Sequence, residues 1–224
     1  MSLPELEAQD LAELSLFPLP QVTLFPGAVL PLHVFEPRYR EMVKAALAAR
    51  GLIALARLKP GFEGDYEGRP PVFEVCGVGA IESCSERKDG RFDLTLRGLS
   101  RARIEEELPP ARVFRQVRAA LLESVMPAPA LVAAWQAKLG RLWVRLGPHL
   151  PEPVRDLKVL TRGADDAAAY SDRLAAALVA DPDASQALLE EPDPAERLRL
   201  LTARVQELVD ALTPGSVARD NALN

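Results

Sequence analysis

The sequence predicts an α+β chain, with a β-rich first part that carries one inserted helix and a helical second part. One observation is a series of short apolar segments separated by Gly and Pro corners, the pattern of a compact, partly closed barrel. Another is Phe17–Val43, which crowds five prolines and four Phe/Tyr rings into one irregular stretch feeding a helix. A third is the change of hydrophobic period from 2 to 3.6 beyond Met126-Pro-Ala-Pro129, which reads as a hinge. The expected division is a leader over 1–14, a β-rich part over 15–124, a helical part over 129–214 and a tail over 215–224.

In the opening stretch, Pro18, Pro20 and Pro26 cannot donate to a central ladder, so the strands there are short, bulged or at an edge. Phe25-Pro26-Gly27 reads as a turn and Val29–Val34 as a strand that tolerates Pro31. Pro37 suits a first helical position, where its missing N–H costs nothing. Tyr39, Met42, Val43, Ala46 and Leu47 then share a helical face, and Gly51 stops the helix.

Leu52–Leu58 has the length of a strand. Lys59–Pro71, rich in Gly and Pro, is a surface loop with an acidic and aromatic tip of Phe62, Glu63, Asp65, Tyr66 and Glu67. Val72–Ser85 reads as a long strand in which Gly77 and Gly79 mark a bulge or bend. Asp89-Gly90 makes a hairpin turn. Phe92, Leu94 and Leu96 alternate with Asp93, Thr95 and Arg97 as a half-buried strand. Gly98 is expected to turn the chain into a further strand over Ser100–Leu108, and Val113–Leu122 forms the last one.

In the helical part, Leu131, Trp135, Leu139, Leu142 and Leu146 stripe one helix, which Gly147-Pro148 ends. Trp135 and Trp143 lie about 80° apart around it and are expected in the core rather than on a binding shelf. Asp165 or Asp166 caps a helix carrying Tyr170, Leu174, Ala177 and Leu178. Asp183 with Gln186 reads as a capping box, and Asp193, Pro194 and Glu196 as another. Leu198, Leu201, Val205, Leu208 and Leu212 form an a/d seam of two heptads. So short a seam is expected inside a bundle rather than at a dimer interface.

Composition narrows the function. At 224 residues and a net charge of −5, with 16 basic and 18 acidic residues up to Glu123, no part is a basic module, which weighs against nucleic acid. Cys76 and Cys84 are too far apart along a strand to bridge, and no metal-ligand spacing or cofactor motif occurs. Gly77-Val-Gly79 lacks the third glycine and the following helix of a nucleotide loop. P-loop, nucleophile-elbow and H-E-x-x-H motifs are missing. Glu105–Glu107 alternate faces on a strand and make a solvated edge rather than an acid/base pair. The acidic N-terminus fits no targeting signal and no apolar run reaches a membrane span, so a cytoplasmic, non-enzymatic protein without metal or cofactor is expected.

The run F-P-L-P-Q-V-T-L-F-P-G-A-V-L-P-L-H-V-F-E-P-R-Y, from Phe17 to Tyr39, resembles the opening of the LON substrate-binding domain, found at the N-terminus of ATP-dependent Lon proteases. The segment V-G-A-I-E…D-G-R-F-D-L-T-L-R-G-L-S-R-A-R-I resembles that family's second hallmark. The helical run from Asp165 to Leu201 resembles its helical half. The resemblance implies a PUA-like β pseudobarrel followed by an α-helical bundle, and recognition of unfolded or hydrophobic segments of other polypeptides. The Ser–Lys protease unit of full Lon enzymes has no counterpart here.

The candidate route is a barrel edge that accepts an extended peptide as an added strand. The expected apolar contacts are Leu24, Phe25, Val34, Phe35 and Tyr39, with Glu36, Arg38 and Arg40 as a polar rim. Alternatives are an adaptor docking on one folded partner and RNA binding through Arg97, Arg101 and Arg103. A monomer is expected.

Overall fold

The computed structural model describes residues 6–152 and 154–212. The tail expected over 215–224 lies outside the described residues, as does the first part of the expected leader. The strands are β1 (Leu14–Leu19), β2 (Val29–Val34), β3 (Leu52–Arg57), β4 (Val75–Glu86), β5 (Phe92–Glu107) and β6 (Arg115–Leu121). The helices are α1 (Pro37–Ala48), α2 (Pro129–Leu146), α3 (Leu157–Leu160), α4 (Ala167–Leu178), α5 (Pro182–Glu190) and α6 (Pro194–Ala211). The chain forms two compact units. One holds the residues up to Glu123 together with Leu178–Pro192, and the other holds Ser124–Ala177 and the residues from Asp193 on.

Among the described residues of the first unit the strands make one six-stranded sheet in the order β2-β5-β4-β3-β1-β6, and β6 also pairs with β5. One pairing, β1 with β3, is parallel and spans the inserted helix α1; the others are antiparallel. The inserted helix sits on one face, where Tyr39, Met42, Val43 and Ala46 pack with Phe17, Ile53, Leu55, Leu94, Leu96 and Phe114. The opposite face is lined by small side chains, Ala54, Ala56, Ala80, Ala102 and Ala119, beside Leu16 and Val78. Small residues on that face let a sheet bend sharply without overfilling its concave side.

Pro37 occupies the start of α1, with Glu36 as N-cap, and Gly51 at φ +71° donates its N–H to Ala46 O, closing the helix. Leu47 is a correction to the expected face: it lies about 80° round the helix from Tyr39 and is 46% exposed.

Gly98 is a second correction. It does not turn the chain, since β5 runs unbroken from Phe92 to Glu107. It admits another backbone: a Cβ there would lie 2.1 Å from Phe25 O, and one at Gly77 would lie 2.0 Å from Leu24 O. The Leu24–Phe25 segment therefore crosses the sheet directly over glycine, which is why both its side chains are buried.

The capping box expected at Asp183 is also revised. α5 begins at Pro182 with Asp181 as N-cap, accepting from Ala184 N–H, and not at Asp183. Gln186 does not reach back to the cap. It is 2% exposed and donates to Val75 O and Glu190 Oε1. Asp183 instead accepts from Arg57, a buried guanidinium that also holds Pro182 O. Arg101 holds Leu189 O at the other end of α5, so polar ties from the sheet fix this helix in the first unit.

In the second unit α2 packs along α6. Leu139, Leu142, Trp143 and Leu146 are buried on α2, and Leu198, Leu201, Val205 and Val209 on α6. The a/d seam thus drifts to Val209 at its end, leaving Leu212 42% exposed, as a straight 3.6-residue helix requires. Leu131 does not join the α2 stripe and is 54% exposed. Trp143 is core and donates its indole N–H to Arg155 O at 2.9 Å. Asp193 caps α6 through Ala195 N–H, but Glu196 pairs with Arg199 instead of completing a capping box. Arg197 and Asp172 form a fully buried ion pair at 3.4 Å. Among the described residues no helix is long and apolar enough to cross a membrane.

Candidate functional site

β2 is an edge strand: among the described residues it pairs with β5 alone. Gly98 N–H donates to Ala28 O at 2.9 Å, so the backbone groups of Gly98 face β2. Bonded and non-bonded positions alternate along an antiparallel ladder. Leu30, Leu32 and Val34 therefore direct their backbone groups to β5, and Val29, Pro31 and His33 direct theirs away from it. Pro31, the residue without an N–H, falls in the outward set, where a proline removes no ladder bond.

The side chains follow the same parity. Val29, Pro31, His33 and Phe35 form an exposed stripe at a spacing of two, with Val29 49% and Phe35 59% exposed. His33 is fixed by Asp93 at 2.7 Å and stacks on Phe35, with ring centroids 6.2 Å apart. Asp93 also accepts from Arg87, and the bonds from Arg87 and His33 hold its carboxyl below the usual carboxylate range.

Immediately after the stripe, the Glu36 carboxylate gathers the surroundings. It accepts from Tyr66 O–H at 2.8 Å and from Arg38 Nε at 3.1 Å. Arg38 donates in turn to Tyr66 O and Glu67 O, and lies over the rings of Tyr39 and Tyr66. The tip of the 59–71 loop is thereby tied to the start of α1. Burial, reinforced by the bond to Glu36, pushes the Tyr66 phenol above its ordinary value.

Of the eight residues expected to form the surface, Leu24, Phe25, Val34 and Tyr39 are core, each at most 4% exposed. Leu24 and Phe25 are held down by the glycine crossing. Val34 and Tyr39 join the core between α1 and the sheet, Val34 one residue out of phase with the exposed stripe. Phe35 is exposed, and Glu36, Arg38 and Tyr66 adjoin it. Arg40 packs against the hairpin, where a Cβ on Gly90 would meet its guanidinium. Val29, Pro31 and His33 are additions to the expected set. Their signal is the parity of the strand itself, since an inward Val34 requires outward neighbours at every second residue.

Three other groupings read from the sequence resolve clearly. Arg97 pairs with Glu82 and Arg103 with Glu74, while Arg101 is 3% exposed, so the three do not share one cationic face. Glu107 is gripped by Arg115 and Arg69, and Glu106 and Glu105 pair with Arg118. Burial pushes Cys76 up to about 12, as expected of a thiol inside an apolar core. Among the described residues no group of His, Cys, Asp or Glu is arranged to hold a metal ion.

Residues 13–207 match the family described as the ATP-dependent protease La (LON) substrate-binding domain. The Lon protease of Roseiflexus castenholzii is 29% identical over 97% of this chain and 27% of its own length. That of Geobacter metallireducens is 30% identical over 92% and 25%, and that of Escherichia coli K12 28% over 92% and 26%. The chain thus spans about a quarter of the length of these relatives. The Lon N-terminal domain protein from Xanthomonas campestris superposes with a TM-score of 0.60 at 26% identity, covering 86% of this chain and 98% of that one. The N-terminal domain of the Mycobacterium avium complex Lon protease gives 0.67 at 20% identity, over 87% and 98%, a likeness of fold.

Proposed function

Because the chain belongs to the LON substrate-binding domain family, we propose that it is a non-catalytic module that holds other polypeptides, taking extended apolar segments along the outer edge of β2. The observation that carries this reading is the coincidence, at Val29, Pro31 and His33, of outward backbone groups with an exposed side-chain stripe that ends on Phe35. An added strand would exchange ladder bonds with Val29 and His33 and place alternate side chains against Phe35. Pro31 blunts the same edge: two copies paired about Pro31 would face two carbonyls with no N–H between them, which supports a monomer.

The pairing of β6 with both β1 and β5 supports the PUA-like pseudobarrel reading of the sheet. The α2–α6 packing supports a helical bundle in the second unit. Holding or delivery of a polypeptide is the role that fits a substrate-binding domain, in the cytosol. An adaptor docking on a folded partner is the second reading, favoured by apolar side chains outside the β2 edge: Met126 is 95% and Val144 78% exposed.

The test is a fluorescence-anisotropy titration of a reduced, permanently unfolded protein with this chain at two salt concentrations. Micromolar, weakly salt-dependent binding that Phe35→Ala weakens supports strand capture. No binding to unfolded chains, with capture of one folded protein, supports the adaptor. A log–log salt slope of several units with RNA would reinstate nucleic acid.

A further inference from the structure

A cavity of about 320 Å³ lies between the C-terminal end of α1 and the starts of β1, β3 and β6. Its volume is at the lower end of small-molecule sites, which begin at about 300 Å³. The sequence leaves it open because α1 and its C-cap present only Ala45, Ala46 and Ala49 there. Leu14, Leu52 and Phe114 add apolar lining.

The polar lining is unusual in its pairing. Arg50 is committed, bound to Asp10 at 2.8 Å and Glu7 at 3.1 Å. Glu13 and Arg112 are not. Glu13 accepts only the Gln116 side-chain amide, at 2.8 Å, and Arg112 has only the Phe114 ring, 5.7 Å from its guanidinium carbon. An acid and a base thus line one cavity, and among the described residues neither has an ionic partner. Ser15 and Gln116, 8% and 9% exposed, also line it, and Ser15 Oγ has no hydrogen bond among the described residues.

We propose that this cavity binds a free α-amino acid with an apolar side chain. Glu13 takes the ammonium with help from the Gln116 side-chain carbonyl, Arg112 takes the carboxylate, and Ser15 bonds whichever end reaches the strand. The apolar side chain lies on Phe114, Leu52 and the three alanines. One ligand thereby meets both charges that lack an ionic partner among the described residues, which neither an anion nor a cation alone does. The inference is independent of the β2 edge.

The test is titration of the full chain with L-leucine, leucinamide, N-acetyl-leucine and N-acetyl-leucinamide, followed calorimetrically and by amide NMR. Leucine is expected to bind and to shift the amides of Ser15, Ala49 and Gln116. Each singly blocked analogue should bind about tenfold more weakly or worse, and the doubly blocked one should not bind, since each removes a charge-assisted contact. Glu13→Gln and Arg112→Gln should each weaken leucine by about tenfold at unchanged melting temperature. No binding of leucine overturns the proposal, as does unaltered affinity in both variants. Leucinamide binding as tightly as leucine also overturns it, and reassigns the cavity to the amino-terminal residue of a polypeptide.

Discussion

The Tyr66 phenol donates to Glu36 Oε1 across 30 residues of sequence, and this bond joins the loop tip to the N-cap of α1. Its acceptor is charged and part-buried, so Tyr66→Phe should cost about 1–2 kcal/mol of local stability. Limited proteolysis checks this: cleavage within 59–71 should accelerate in the variant while the global melting temperature changes little.

The glycine crossing makes a sharper claim. Gly98→Ala brings a methyl within 2.1 Å of Phe25 O, where the obstacle is backbone and cannot rotate away. The variant should lose about 2–3 kcal/mol in urea unfolding. Gly140→Ala, whose added Cβ meets nothing, should be neutral or slightly stabilising and serves as the control.

The buried pair Arg197–Asp172 predicts an asymmetry. Arg197→Ala leaves a carboxylate in a core position and should cost about 3–5 kcal/mol. Arg197→Met combined with Asp172→Leu removes both charges at similar volume, and should recover most of that loss in thermal unfolding.

Glu107 predicts a pH dependence. Burial would raise its carboxyl, but the guanidiniums of Arg115 and Arg69 outweigh it and hold the group below the usual glutamate range. A depressed folded value means the stabilisation is complete above the unfolded value, about 4.3, and is lost as pH falls through the folded one. Glu107→Gln should therefore flatten the acid side of the stability curve below about pH 4.5 and leave its neutral-to-alkaline shape unchanged.

Much of this was legible in the residues. Pro37 and Gly51 bracket α1 through local backbone preference, and the alternation Phe92–Leu96 marks a half-buried strand without tertiary help. Asp166 and Asp193 cap their helices as short polar side chains do. What failed depended on distant contacts. Gly98 reads as a turn until Phe25 is known to cross it, and Gln186 reads as a capping partner until Val75 O is known to be in reach. Along the proposed edge, the residues alone do not settle which side chains face outward. Phe25 and Tyr39 are as aromatic as Phe35, and only the tertiary setting separates the buried members from the exposed one.

Amide hydrogen exchange tests, at single residues, whether an extended polypeptide bonds to the outer edge of β2. With a saturating unfolded polypeptide, the N–H groups of Val29 and His33 should become protected, while those of Leu30 and Leu32, already bonded to β5, stay unchanged. Binding that leaves Val29 and His33 exchanging as in the free protein would rule out strand addition at β2 and place the polypeptide elsewhere.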